Sequence, residues 1–405
     1  MHLPVLRRPR AVTAALLATI LGSAAASAQE VTEKDLGKPT NVVKDGFERA
    51  ILGTELADGR LLFVDAGGER GTATAYTRID FATGKVERVL SSGPAEHQFR
   101  ALASPLRWPG DSLASADAGK ARLMILGPDG SYARSIKLGE PPAAPADAAP
   151  RGLRLPTARY AAGGTTLFGV GFAPRPTGVN PVLAPPRQLF PVVRFSIASL
   201  SYDTVVQLLP AQAARPPQRS QETATMMVTI PTTPFQAVDT WVAYRDGTVA
   251  VVRAATYRLD FIAPDGARTQ GQPIPFPKVA VNDEDRKAHV STVKRTTEEN
   301  MGRASARSPI RTFIYTEPAT WPATHPAFRG DAPAVLGSDE RIWLSVRCEN
   351  DSKATCFDVI DRTGQRAARY RLPARSRLLA AGKEAVYIVN ESKGDDLTIE
   401  RFALR

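Results

Sequence analysis

Histidine and cysteine are scarce: the 405-residue chain has four His and two Cys. That excludes a zinc finger, an iron–sulfur cluster and a disulfide-dense scaffold. After the first 28 residues there is no Gly-x-Ser-x-Gly elbow, no Gly-x-x-x-x-Gly-Lys-Ser/Thr loop and no His-Glu-x-x-His. An α/β-hydrolase serine, a P-loop and a zincin site are therefore unsupported. Like charges never run to five, and no basic stripe carries interleaved aromatics, so nucleic-acid binding is not expected. No segment beyond the N-terminal one is apolar enough to span a bilayer. Proline, by contrast, is plentiful at 33 residues. Scattered prolines argue against long helices. With 43% hydrophobic and 23% charged residues, the chain as a whole is not disordered.

Residues 1–28 have the pattern of a secretory signal peptide. Arg7, Arg8 and Arg10 form a basic start, Ala11 to Leu21 an apolar stretch, and Ala26-Ser27-Ala28 a small-residue cleavage site. The general export route is preferred over the twin-arginine one. Removing the leader leaves 49 basic and 41 acidic residues, so +11 becomes +8. The mature chain is expected to be a soluble periplasmic or secreted monomer with no transmembrane segment. In an oxidising compartment, Cys348 and Cys356 are expected to form a disulfide across a hairpin. They flank a polar loop between two strand-like runs, Ile342 to Arg347 and Phe357 to Ile360.

The mature chain, residues 29–405, carries a repeat. A Gly-containing turn precedes an apolar strand, a polar hairpin, a second strand, a Gly turn and a third strand. Six copies begin near Asp58-Gly59, Gly110-Asp111, Gly163-Gly164, Asp246-Gly247, Asp339-Glu340 and Gly382. The sixth lacks its last strand, and Lys38 to Val43 is a spare strand of suitable length. Ring closure by that strand would remove exposed sheet edges. The expectation is one all-β domain, a six-bladed β-propeller, with seven blades as the alternative. Pro-rich loops fall at Gly139 to Leu155, Pro174 to Pro191 and Pro210 to Gln236. The largest insertion covers about 278–334. It contains a predicted helix from Asp283 to Gly302, then an extended run with Trp321 and Phe328.

The runs Gly93-Pro94-Ala95-Glu96-His97-Gln98-Phe99, Pro109-Gly110-Asp111-Ser112-Leu113 and Pro128-Asp129-Gly130 resemble the blade signature of bacterial six-bladed propellers of the NHL-repeat and TolB-like group. The resemblance is clearest over residues 50–138. Its motifs mark turns and strand ends, not chemistry.

Propeller ligands bind where loops converge on the channel mouth. The acids in candidate rim positions are Asp58, Glu96, Asp111 and Glu317, and Trp321 is the candidate aromatic contact. No catalytic residue and no cofactor is predicted; Ca²⁺ is the ion that such oxygens, or the Asp283-Glu284-Asp285 cluster, would take. That cluster is read first as the charged opening turn of the helix. Two functions follow. One is a non-catalytic module binding an envelope protein, peptide or glycan. The other is a lactonase-like hydrolase or lyase with a metal at the channel mouth.

Overall fold

A computed structural model gives the fold. It describes residues 32–404 except 68–74, 101–102, 118, 139–157, 171–189, 209–233, 236, 305–317, 319, 329–333, 349–353, 374 and 394–395. The expected leader, Glu317 and most of the three Pro-rich loops lie outside the described residues.

The protein is a six-bladed β-propeller. Blade one is β3 (Ala50–Glu55), β4 (Leu61–Asp65), β5 (Ala75–Asp80) and β6 (Lys85–Ser91). Blade two is β7 (Leu106–Arg107), β8 (Leu113–Asp117), β9 (Arg122–Leu126) and β10 (Tyr132–Lys137). Blade three is β11 (Ala158–Ala162), β12 (Thr166–Val170), β13 (Phe190–Ser196) and β14 (Ser201–Leu208). Blade four is β15 (Thr240–Ala243), β16 (Val249–Arg253), β17 (Arg258–Ile262) and β18 (Arg268–Gln270). Blade five is β19 (Val335–Leu336), β20 (Ile342–Arg347), β21 (Thr355–Ile360) and β22 (Arg366–Leu372). Blade six takes β23 (Ser376–Ala381), β24 (Ala385–Lys393) and β25 (Asp396–Ala403) from the C-terminal end.

The N-terminal chain completes the ring twice. β1 (Glu33–Asp35) adds a parallel fifth strand outside β22, and β2 (Asn41–Val43) pairs antiparallel with β25 as the fourth strand of blade six. The expected closure by this segment is therefore found, with a strand on blade five in addition. Each repeat read from the sequence is the outer three strands of a blade. The inner strands β3, β7, β11, β15, β19 and β23 complete the blades and neighbour one another around the axis.

The second strands are apolar on both sides because each blade is packed between two others. β4 and β8 are buried at every position. The outer strands β10 and β18 are largely exposed. The core is six apolar layers, one at each blade interface. Phe63 and Tyr387 fill the layer between blades six and one; Trp241 and Phe168 fill that between three and four; Trp343 and Phe402 fill that between five and six. Each such side chain contributes on the order of 1.5–3 kcal/mol on burial. Strand Trp241 and Trp343 thus act as blade spacers.

The tight turns follow from glycine at positive φ. At Gly130 φ is +81°, and an added Cβ would stand 3.2 Å from Leu62 of blade one. A side chain there would both strain the backbone and press on the neighbouring blade.

Antiparallel order gives the ring two rims. The turns β3–β4 and β5–β6, with their counterparts in later blades, form a turn rim. The connections within β4–β5-type pairs and those between blades start and end at the other, the loop rim. Residues 139–157, 171–189, 209–239 and 271–334 all connect strands that end at the loop rim. In the last of these, helix α1 (Asp283–Ala304) confirms the predicted helix and runs two residues beyond its expected end. The other described residues of 278–334 add isolated bridges, Ala280 to Thr324 and Phe328 to Val346, and no seventh sheet. No helix among the described residues is long and apolar enough to cross a membrane.

Cys348 and Cys356 form the expected disulfide. It spans the β20–β21 connection, where Cys356 sits opposite Val346. The Glu33 carboxylate is close to both sulfurs. The sulfurs are bonded to each other and so are not thiolate ligands for a metal.

Candidate functional site

Of the rim acids read from the sequence, Asp58 and Asp111 stand at one rim and Glu96 at the other, and Glu317 lies outside the described residues. Asp58 and Asp111 occupy the β3–β4 and β7–β8 turns, on the turn rim. Asp58 accepts from Arg60 Nε at 2.8 Å and from the Arg60 backbone N–H at 3.1 Å. Partial burial raises the Asp58 pKa, but these bonds outweigh it and hold the carboxyl below its usual range. Asp111 takes a left-handed conformation, φ 57°, which fits a turn residue. Glu96 lies at the opposite end, between β6 and β7. Its carboxylate accepts from the Tyr132 hydroxyl at 3.1 Å. Trp321 is also at the loop rim, in the 271–334 connection.

The run that carries the family resemblance has a structural task. Lys120 Nζ donates to the carbonyls of Pro94, Ala95 and Gln98 at 3.0, 2.7 and 2.9 Å. Arg122 donates to the Glu96 carbonyl at 2.6 Å and also to Gln98. The 93–99 loop is thus wound around two cations of blade two. His97, within it, is exposed. Asp117 completes the arrangement by accepting from the Arg100 N–H at 3.1 Å and from Arg122 Nε at 3.2 Å.

Two arginines clamp the ends of the innermost strand of blade one. Arg377 of blade six donates to the Ala50 carbonyl, and Arg107 of blade two donates to the Glu55 carbonyl at 2.9 Å. Burial lowers the pKa of both guanidinium groups.

A grouping of polar and aromatic side chains in the insertion is built on the first turn of α1. Asn282 and Asp285 form a reciprocal cap. The Asp285 N–H donates to Asn282 Oδ1 at 2.9 Å, and the Asn282 N–H donates to Asp285 Oδ2 at 3.2 Å. The same carboxylate meets His325 Nε2 at 2.9 Å and accepts from Arg347 Nη2 at 2.8 Å. Asp285 therefore ties the helix to β20 and to the extended run after it. Burial alone would raise its pKa; bonds from His325, Arg347 and the Asn282 N–H prevail and take it to about 2. Burial lowers the pKa of His325, against the pull of Asp285.

An aromatic nest stands beside this knot. The Phe235 ring lies 4.5 Å from His325, 5.2 Å from His289 and 6.0 Å from Trp321, centroid to centroid. His289 and Trp321 meet edge to face at 5.7 Å, and the Arg286 guanidinium is 5.9 Å from the Trp321 ring centre. His289 Nε2 is buried with no hydrogen-bond partner among the described residues. Burial lowers the His289 pKa. Sequence reasoning singled out Trp321 and read Asp285 as part of the helix's charged opening turn, with nothing to join either to His289 or His325. Their partners Phe235 and Arg347 come from other segments of the chain, and no spacing rule links them.

No family model matches the chain, and no curated protein matches it in sequence. Solved structures resemble it in fold. A member of the DUF4221 family from Bacteroides vulgatus is 10% identical, with 93% of this chain and 98% of that one covered and a TM-score of 0.45. A gluconolactonase from Xanthomonas campestris is 11% identical, with 92% and 94% covered and a TM-score of 0.41. A virginiamycin B lyase from Staphylococcus aureus is 10% identical, with 89% and 82% covered and a TM-score of 0.35.

Proposed function

We propose that the chain is an exported propeller of the NHL-repeat and TolB-like kind, periplasmic or secreted. It binds an envelope protein, peptide or glycan through its loop rim and catalyses no reaction. One observation carries this reading: the helix and the aromatic nest belong to the loop rim, where the strands flanking the long connections end, while the described turns of the other rim are tight. A fixed ring whose long connections all start and end at one rim is suited to recognition. The alternative, a metal-dependent hydrolase or lyase, calls for several acids at one mouth. Asp58 and Asp111 stand at the opposite rim from Glu96, which favours the binding reading.

The test places a photo-crosslinking residue at Trp321 in one variant and at Asp58 in another, each exposed to envelope extract. The binding reading expects a discrete adduct from position 321 and none from position 58. Equal labelling, or adducts only from position 58, would overturn the assignment of the rim. Elemental analysis of the purified chain, with lactone turnover before and after chelation, addresses the alternative. A stoichiometric metal with metal-dependent turnover would replace binding by catalysis.

A further inference from the structure

We infer that β1 is a guard on the Cys348–Cys356 disulfide, so that thiol–disulfide exchange acts on this bridge only while β1 is undocked. The guard operates whichever rim binds a partner. In the β21–β22 ladder Cys356 stands directly opposite Arg371, and in the parallel β1–β22 ladder Arg371 stands opposite Asp35. Side chains alternate along a strand, so Glu33 and Asp35 share the face of Arg371 and Cys356. Glu33 accepts from Arg371 Nε at 2.6 Å. Its carboxylate also lies within 4.8 Å of both sulfurs. Cys348 and Cys356 are only 3% and 0% exposed. At the outer edge of blade five, an acid of β1 thus stands against a buried bridge.

A dithiol breaks such a bridge in two displacements. Its thiolate attacks one cysteine sulfur, the S–S bond breaks, and the other cysteine leaves as a thiolate. The reagent's second thiol then displaces the first cysteine and closes a disulfide of its own. Two electrons and two protons reach the chain, as two thiols, and the reagent is oxidised. The attacking group and each leaving cysteine carry negative charge. A carboxylate beside the sulfurs disfavours both. A cysteine whose thiolate is disfavoured is also a poor leaving group. Arg371 is the cation placed to offset this, but Glu33 takes up its guanidinium. Undocking β1 withdraws the acid and leaves Arg371 opposite Cys356 without it. The surroundings of the bridge then change from screened to electropositive. With two cysteines in the chain, exchange can only open or close this one bridge. A ring whose N-terminal strand is in place therefore keeps its disulfide, and a ring still open there exchanges it.

The purified chain is held under native conditions with excess dithiothreitol, and free thiols are counted over time by alkylation and mass spectrometry. Glu33→Gln keeps the size of the side chain and removes its charge. Reduction is expected to speed up at least roughly tenfold. Glu33→Ala removes cover as well and should react faster still. Lys120→Met weakens blade two, across the ring from β1, and should react at the rate of the unaltered chain. An unchanged rate in Glu33→Gln would overturn the proposal, and this variant decides if Glu33→Ala fails to fold. Equal acceleration by Lys120→Met would show that general unfolding admits the reductant, and would overturn it too. So would an unaltered chain that is reduced as fast in buffer as in urea.

Discussion

Tyr257 of blade four donates its phenol to Asp358 of blade five at 2.5 Å, inside the layer between the two blades. Asp358 is fully buried and is neutralised by Arg369, with Arg366 at 3.5 Å. Burial pushes the Tyr257 hydroxyl well above its usual range, and the Asp358 charge adds to the effect. The phenol therefore stays protonated and remains a donor. Tyr257→Phe should cost about 1–3 kcal/mol, since one lone pair of a buried carboxylate is left unmet. Asp358→Ala should cost more, about 3–5 kcal/mol, because it strands a buried guanidinium. Urea unfolding of the two variants reads both values and their order.

Lys120 fills a cage of three carbonyls. Lys120→Met keeps the length and removes the donors. A loss of about 1–3 kcal/mol is expected. Amide exchange should speed up through residues 93–99 before it does so in β8 or β9. Exchange rising first in the strands would show that the loop is held by other contacts.

Docking of the insertion should weaken in acid in two stages. His325 and His289 both have pKa values below 6.5 in the folded protein. A lowered value means that the unfolded state binds the proton more tightly, so their contribution is present above 6.5 and fades as pH falls through it. Asp285, lowered from 3.8 to about 2, contributes above 3.8 and loses its contribution between those values. Exchange protection of residues 279–295 against pH should show a first decline near 6.5 and a second below 3.8. A flat profile across the first window would mean that the histidines do not couple to docking.

The disulfide closes a separation of eight residues. Loop entropy assigns such a short closure about 2–3 kcal/mol. Cys348→Ser with Cys356→Ser should lower stability by that amount and leave the ring intact by circular dichroism. Loss of the folded state would show that the bridge anchors more than its hairpin.

The leader should be removed on export. Intact mass of the chain recovered from the periplasm or medium is expected to place Gln29 first. A full-length mass would contradict the cleavage site read from residues 26–28.

The second strands were legible because burial on both faces makes β4, β16 and β20 near-continuous apolar runs between Gly turns. The inner strands were not. β7 and β19 are two residues each, and β3, β11 and β23 have register shifts at Ile51/Gly53, Ala158/Tyr160 and Leu378/Ala380. A shift breaks the period-two alternation by which a strand is recognised. The knot was harder still. Asp285 already had a sufficient local role as a helix-opening acid, and its partners lie 40 and 62 positions away. Asp58 and Asp111 were read as acids in candidate rim positions, whereas which rim a residue occupies depends on strand order, which the unread inner strands obscured.

The strap formed by β1 and β2 also orders events in time. Thr40 bonds to Arg401, 361 positions away. β2 thus finds its place only after β25 has been made, and this closure bears the largest loop entropy in the ring. Contacts so distant slow folding. Until they form, β25 and β22 present bare edges that can pair with another chain. Dilution or a chaperone that covers strand edges should therefore raise the yield of refolded ring more than any stabilisation of the blades themselves.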